Sequence, residues 1–378
     1  MIGSWPGVLV ERGVCGKVRL AQPIRDVTLM LTPLPPLPTQ PVGTPWPTKA
    51  WPTGAFDTPH RAARVSAHLD RAFNADPTGE LGVTQAVVVI RHGRLLTERY
   101  GSDFGPDVTC RSWSMAKSIT QALLGVAVGD GKVDIHAPAD VPLWRGAGDP
   151  RGEITLDQLL RMSSGLEWIE DYSPENPSDV IDMLFGRGAA DVAAFAEAKT
   201  LAHVPGRFWQ YSSGTTNIVA HCLARAIGAV DATAMEAFMR QRLFDVIGMT
   251  SAAPRFDAAG TFIGSSFCFA TPRDFARFGL LYLRDGVWEG RRLLPEGWVD
   301  YARTPTFQQP EAKDEGRYGA HWWLEMAGPG SFSANGYEGQ HIVICPDLDL
   351  ILVRHGATPT ATQPSVGAWL RDLADIFR

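Results

Sequence analysis

Ser114-Met115-Ala116-Lys117, running on through Ser118-Ile119-Thr120-Gln121-Ala122-Leu123-Leu124-Gly125-Val126-Ala127-Val128 to Gly129-Asp130-Gly131, is the stretch on which the reading of this chain turns. It is apolar almost all round and predicts a buried helix with a glycine-rich exit. Residues three apart share a helix face, so Ser114 in the first turn has its hydroxyl beside the Lys117 amine. The Ser114 N–H is one of the donors that a helix start leaves unpaired.

That pairing suits acyl transfer. A serine hydroxyl must lose its proton as it attacks, and an ammonium cannot take it. Lysine becomes a base only where desolvation or a neighbouring cation lowers its pKa, which an apolar helix offers. A surface serine beside a solvated lysine is the competing reading of the same four letters. The position at the head of a buried helix favours the chemistry.

Composition narrows the partners. The 378 residues are 45% hydrophobic and 20% charged, enough chain for one large domain or two intimately packed ones. A net charge of -6 supplies no basic face for nucleic acid or an anionic membrane. Twelve tryptophans without basic tracts between them read as core or cleft lining. Five cysteines without a C-x-x-C pair suggest reduced thiols rather than a disulfide framework or a zinc cluster. No secretory signal or membrane span is visible, so the expected location is cytoplasmic.

Thr32 to Gly54 carries eight prolines with Trp46 and Trp51, which forbids helix and favours an extended arm packed on the body. Helices are expected over His60–Phe73, Ile154–Met162, Asp191–Lys199, Asn217–Ile227, Ala234–Phe244, Pro272–Arg284 and Ala368–Phe377. Gln85–Ile90 and Leu95–Tyr100 read as a hairpin about His92-Gly93, and strand-like runs return at His321–Met326, His341–Cys345 and Leu348–Arg354. The expected fold is α/β: an antiparallel sheet flanked by helices, assembled from both chain ends, with an inserted mostly helical domain. The corresponding division is an arm over 1–59, an α/β domain from 60–112 and 318–378, and a helical domain over 113–317.

Ser-x-x-Lys, then Tyr211-Ser212-Ser213 after Pro205-Gly206, then Gly336-Tyr337-Glu338-Gly339-Gln340 before a C-terminal hairpin resembles the serine β-lactamase and penicillin-binding-protein superfamily. The likeness is to its class C-like branch of esterases, D-amino peptidases and 6-aminohexanoate-dimer hydrolases. Leu159–Leu166, Ala270–Gly279 and Leu293–Trp298 fit the same branch, and the resemblance runs from about Gly82 to the C-terminus. It implies a β-lactamase/transpeptidase-like fold, Ser114 as nucleophile, Lys117 as base and Tyr211 as proton relay.

Other positions carry over with changes. Ser213 replaces the asparagine of Tyr-x-Asn. Tyr337-Glu338-Gly339 stands where Lys-Thr-Gly is expected, so a cation is lost, while Gly339 keeps the strand slim for substrate. The backbone N–H groups of Ser114 and Gln340 are the implied oxyanion hole. Within Glu167–Tyr172 the resemblance makes Tyr172 a candidate to hold a leaving nitrogen or close a lid, against a plain surface loop. Ser265 takes the place of a cleft asparagine.

No Gly-x-Ser-x-Gly elbow, His-Glu-x-x-His, Walker loop or dinucleotide fingerprint occurs, so no metal and no cofactor is expected. His321 and His341 read as structural. The expected activity is hydrolysis of a small carboxylic ester or linear amide through an acyl-enzyme. The alternatives are a β-lactamase or D-Ala-D-Ala carboxypeptidase-like enzyme, or a binding or sensing module. A degenerate module should have lost Lys117 or Tyr211, and this chain keeps both.

Overall fold

β1 (Val83–Arg91) and β2 (Arg94–Tyr100) turn at His92-Gly93, both with positive φ, and form one end of a six-stranded antiparallel sheet. The computed structural model describes residues 34–173, 175–307 and 317–378. The other four strands come from the C-terminal part: β3 (Trp323–Leu324), β4 (Phe332–Gly336), β5 (Gln340–Cys345) and β6 (Leu350–Ala357). Their order is β2-β1-β6-β5-β4-β3, with Val88 opposite Val353 and Ile351 opposite Ile344.

Alternation along these strands feeds two cores. Val87, Val89, Val343, Leu350 and Leu352 pack with α1 (Pro59–Phe73) and with α10 (Gln363–Asp375). Val88, Ile90, Ile342, Ile344, Ile351 and Val353 face the opposite way, into the main core. That core holds α2 (Met115–Gly129) and α8 (Pro272–Leu283). Between β2 and β3 lie α2, α3 (Leu156–Leu160), α4 (Asp179–Phe185), α5 (Val192–Glu197), α6 (Ser213–Ile227), α7 (Ala232–Met239), α8 and α9 (Trp298–Ala302). The architecture is the expected α/β one, with an antiparallel sheet built from both ends.

Several elements depart from the sequence reading. The strand expected over His321–Met326 shrinks to Trp323–Leu324, because His321 (φ 58) and Glu325 (φ 63) take left-handed backbone at its two ends. β4 gives little strand signal in the sequence because it is five residues long and only Phe332 and Ala334 are apolar, alternating with Ser333 and Asn335 before Gly336. α6 begins four residues before Asn217, capped by Ser212, whose Oγ accepts the Thr215 N–H at 3.2 Å. α7 gives way to a π turn over Arg240–Phe244.

From Leu34 the proline-rich stretch is held by side chains of the body; its earlier residues lie outside those described. Trp51 is buried with Nε1 on the Arg273 carbonyl (3.2 Å), and Trp46 packs on Trp288 with centroids 4.9 Å apart. Arg277 Nε donates to the Pro47 carbonyl at 2.8 Å, and Arg303 to that of Pro35 at 2.6 Å. Such contacts suit proline, which offers carbonyls but no N–H. Cys110, Cys222, Cys268 and Cys345 are buried free thiols, and Cys15 lies outside the described residues. Among the described residues no single helix is long and apolar enough to cross a membrane.

Candidate active site

Trp113, immediately before Ser114, adopts φ 43, which a bulky side chain rarely takes unless its surroundings hold it there. Its indole donates to Glu338 Oε2 at 3.0 Å, and its ring meets Phe267 and the edge of Tyr337. On the other side Ser112 Oγ donates to the Ser266 carbonyl at 3.1 Å and accepts from the Cys268 N–H at 2.9 Å. The turn closes into α2 through Met115 N–H to Ser112 O and Lys117 N–H to Ser114 O. Ser114 makes no side-chain capping bond, and among the described residues its N–H meets no acceptor. Nucleophile and helix-end donor therefore face the same space.

Lys117 is buried, and its Nζ has three acceptors: Ser114 Oγ at 3.0 Å, Ser213 Oγ at 2.9 Å and the Ser265 carbonyl at 3.0 Å. The Tyr211 ring centroid lies 4.8 Å from it. Desolvation pulls the ammonium pKa from 10.5 to about 8, against an opposing pull from the Glu170 carboxylate. Tyr211 is held among Trp323 (5.4 Å), Tyr318 (5.8 Å) and Trp209 (6.5 Å). Burial, then Glu170, pushes its phenol up, while Ser114 and Trp323 act the other way, so it stays protonated at neutral pH.

Glu170, quoted in the sequence only as part of a loop, is the hub of this wall. Its carboxylate accepts from Ser213 Oγ (2.6 Å), Ser213 N–H (2.8 Å), Tyr172 OH (2.7 Å) and Trp168 Nε1 (2.6 Å). Trp168 comes close because Gly214 has no side chain; a Cβ there would meet the indole at 2.6 Å. Its sequence signal is an acid two residues before Tyr172, which gains meaning only because α6 begins at Ser213.

Beside Ser114 opens a cavity of about 100 Å³. Trp113, Tyr172, Tyr337 and Ser266 form one side, and Val180, Ile181, Leu184 and Phe185 of α4 the other, with no charged side chain among them. Tyr172 and Tyr337 stack at 4.8 Å across its rim. No motif in the sequence marks α4 or Ser266.

Four expected substrate contacts are placed differently. The Ser213 hydroxyl is taken by Lys117 and Glu170. Ser265 is fully buried, contributes its carbonyl to Lys117, and pairs its hydroxyl with Ser266 at 2.9 Å. Glu338 (φ 62) spends its carboxylate on the Trp113 indole, with Arg111 3.9 Å away, and does not line the cavity. Gly339 faces Arg354, where a Cβ would collide with the guanidinium.

The glycine lying against the nucleophile turn is Gly336, since a Cβ there would strike the Ser112 carbonyl and come within 3.1 Å of Trp113 Cβ. The strand segment that lies against the nucleophile turn is thus Ala334-Asn335-Gly336, which carries no cation. Gln340, whose N–H was the expected second oxyanion donor, pairs with Gly336 in the β4–β5 ladder, its side-chain Nε2 donates to the Tyr337 and Gly356 carbonyls, and it does not line the cavity. His321 is neutral and structural: burial drives its pKa to about 3, with its nitrogens at the Leu160 carbonyl and Thr216 Oγ1. Among the described residues no cluster of three or more His, Cys, Asp or Glu side chains could hold a metal ion.

A buried serine–lysine pair at a helix start, under an antiparallel sheet, defines a serine hydrolase of the β-lactamase fold. The Beta-lactamase family profile matches residues 69–374, and the chain belongs to that family. It is 26% identical over 319 residues to a 6-aminohexanoate-dimer hydrolase of Paenarthrobacter ureafaciens, covering 81% of this chain and 80% of that one. A Bacillus anthracis structure assigned as a 6-aminohexanoate-dimer hydrolase superposes with a TM-score of 0.67 at 22% identity, over 86% of this chain and 87% of that one. A family VIII carboxylesterase superposes with a TM-score of 0.64 at 15% identity, over 85% and 98% of the two chains. These two share the fold.

Proposed function

We propose that the protein hydrolyses small uncharged carboxylic esters, and linear amides more slowly, through an acyl-enzyme on Ser114. The observation that carries this is the 3.0 Å contact between Ser114 Oγ and a buried amine whose pKa is near 8. About a tenth of Lys117 is then neutral at pH 7, enough to act as base. It takes the Ser114 proton as Oγ attacks the carbonyl, and the Tyr211 phenol passes a proton to the leaving group. Water then repeats the sequence in reverse roles and frees the acid. The oxyanion falls to the Ser114 N–H and, because Gly336 lies against the Ser112–Trp113 backbone, to the amide that follows it, Tyr337 N–H.

Substrate class is read from the cavity wall, which among the described residues offers apolar α4 side chains and no cation. β-Lactams and D-alanyl peptides carry a carboxylate that would go unpaired there. Linear amides stay in view because of the 6-aminohexanoate-dimer hydrolase relative and the placement of Tyr172 over the site. The test compares kcat/KM for p-nitrophenyl butyrate, a nylon-type linear amide dimer and nitrocefin, with fluorophosphonate labelling of Ser114. Ester turnover well above nitrocefin and an adduct on Ser114 are expected. An adduct elsewhere, or nitrocefin turned over as fast as the ester, would overturn the reading. Lys117→Arg and Tyr211→Phe should each lose about two to four decades in rate, the first because a guanidinium stays protonated.

A further inference from the structure

A neutral lysine amine has two N–H groups and one lone pair, and only the lone pair can take the proton of Ser114. Of the three oxygens around Lys117 Nζ, the Ser265 carbonyl can only accept. The other two are hydroxyls, Ser114 Oγ and Ser213 Oγ, and either can donate. If Ser213 turned its proton toward Nζ, the lone pair would be spent on it and Ser114 would face an N–H. The hydroxyl of Ser213 is prevented from doing so because its proton is committed to Glu170 Oε1 at 2.6 Å, while the Ser213 N–H occupies Oε2 at 2.8 Å. Glu170 is itself oriented from behind by Tyr172 OH and Trp168 Nε1.

We infer that Glu170 is a positioning residue: it touches neither Ser114 nor the cavity, but fixes Ser213 as a pure acceptor and so aims the Lys117 lone pair at Ser114. The inference rests on the serine–lysine reading above. In the step it serves, the Ser114 proton moves to Lys117 Nζ, the Oγ electron pair forms the bond to carbon, and the Ser213 proton stays where it is. Glu170 gains no proton. Among the described residues the groups facing Lys117 are Glu170, the Tyr211 phenol held high, and His321 held neutral, so removing the carboxylate leaves no other anion among them to hold the ammonium. Tyr172 and Tyr318, which face Glu170, are also phenols pushed up by burial.

The test uses Glu170→Gln, Ser213→Ala and the double variant in the full chain, with thermal melts to establish folding. Two quantities are read: the pH dependence of fluorophosphonate labelling at Ser114, and the Lys117 titration by NMR on lysine-labelled protein. In Glu170→Gln the plateau labelling rate should fall about ten- to a hundredfold, because the amide lets Ser213 turn. The Lys117 pKa should drop by about one unit, moving the acid limb to lower pH.

In the Ser213→Ala background, Glu170→Gln should add less than about twofold to the plateau loss, since no hydroxyl is left to orient, while the pKa shift persists. A folded Glu170→Gln with a plateau within twofold of the parent, or losses that multiply in the double variant, would overturn the inference. If native Ser114 is not labelled, the acyl-enzyme reading falls, and the NMR titration still decides whether Glu170 acts on Lys117.

Discussion

At the scale of residues, the cost of the site is concentrated in Lys117. A buried amine with a pKa near 8, against 10.5 when solvated, destabilises the folded chain while both states are charged. The unfolded state holds its proton to higher pH, so stability rises between about pH 8 and 10.5, and below pH 8 the whole penalty stands. The difference is about 3 kcal/mol. Urea melts of the native protein and Lys117→Met should therefore converge, or shift in favour of the native chain, by that order between pH 7.5 and 10. A gap independent of pH would mean that Lys117 is not desolvated in solution. Trp113 is the second costly residue, and its left-handed backbone is anchored through Glu338. Glu338→Ala should lower kcat at least tenfold with little change in ester KM, since it frees the turn and touches no substrate. A change confined to KM would place Glu338 in the binding surface instead.

At the scale of elements, β4 and α4 flank Ser114. Gly336 has φ -131, so Gly336→Ala brings no backbone strain, and its effect is purely a collision with the Ser112–Trp113 turn. The expected result is a loss of about 1–3 kcal/mol in stability together with more than tenfold in kcat. Gly339→Ala would instead press on Arg354, which donates to the Gly339 (2.8 Å) and Leu81 (2.8 Å) carbonyls. α4 lines the cavity beside Ser114, and Ile181→Ala with Phe185→Ala deletes several carbons from its wall. Preference should move from butyrate toward hexanoate and octanoate esters, at about fourfold per methylene from the transfer energy of a buried CH₂. An unchanged chain-length profile would show that the acyl group lies elsewhere.

At the scale of the molecule, three buried histidines store acid sensitivity. His321, His341 and His355 are each buried and held neutral, with pKa values brought to about 3 by desolvation, helped at His341 and His355 by the charge of Arg354. A histidine depressed in the folded state contributes stability that is complete above its unfolded value of 6.5 and is lost as pH falls below it. Three such groups forfeit about 4 kcal/mol per pH unit together, against a typical total of 5–15 kcal/mol. Cooperative unfolding is expected between about pH 5 and pH 3, followed by circular dichroism. Native signal retained at pH 3 would mean that these rings are solvated or already protonated.

What the linear sequence determined is whatever depends on neighbours a few residues apart. The helix from Ser114, the hairpin about His92-Gly93 and the three ordered motifs are local patterns, and they reach as far as fold class and the Ser114–Lys117 pair. Tertiary structure alone decided the rest, because those features depend on groups brought together from far apart. Glu170 meets Ser213 across 43 positions, the Ser265 carbonyl reaches Lys117 across 148, and Trp113 meets Glu338 across 225. The shift from Gly339 to Gly336 has the same origin. Both glycines lie in one short motif, and only the packing of β4 under the start of α2 tells which of them a side chain would block.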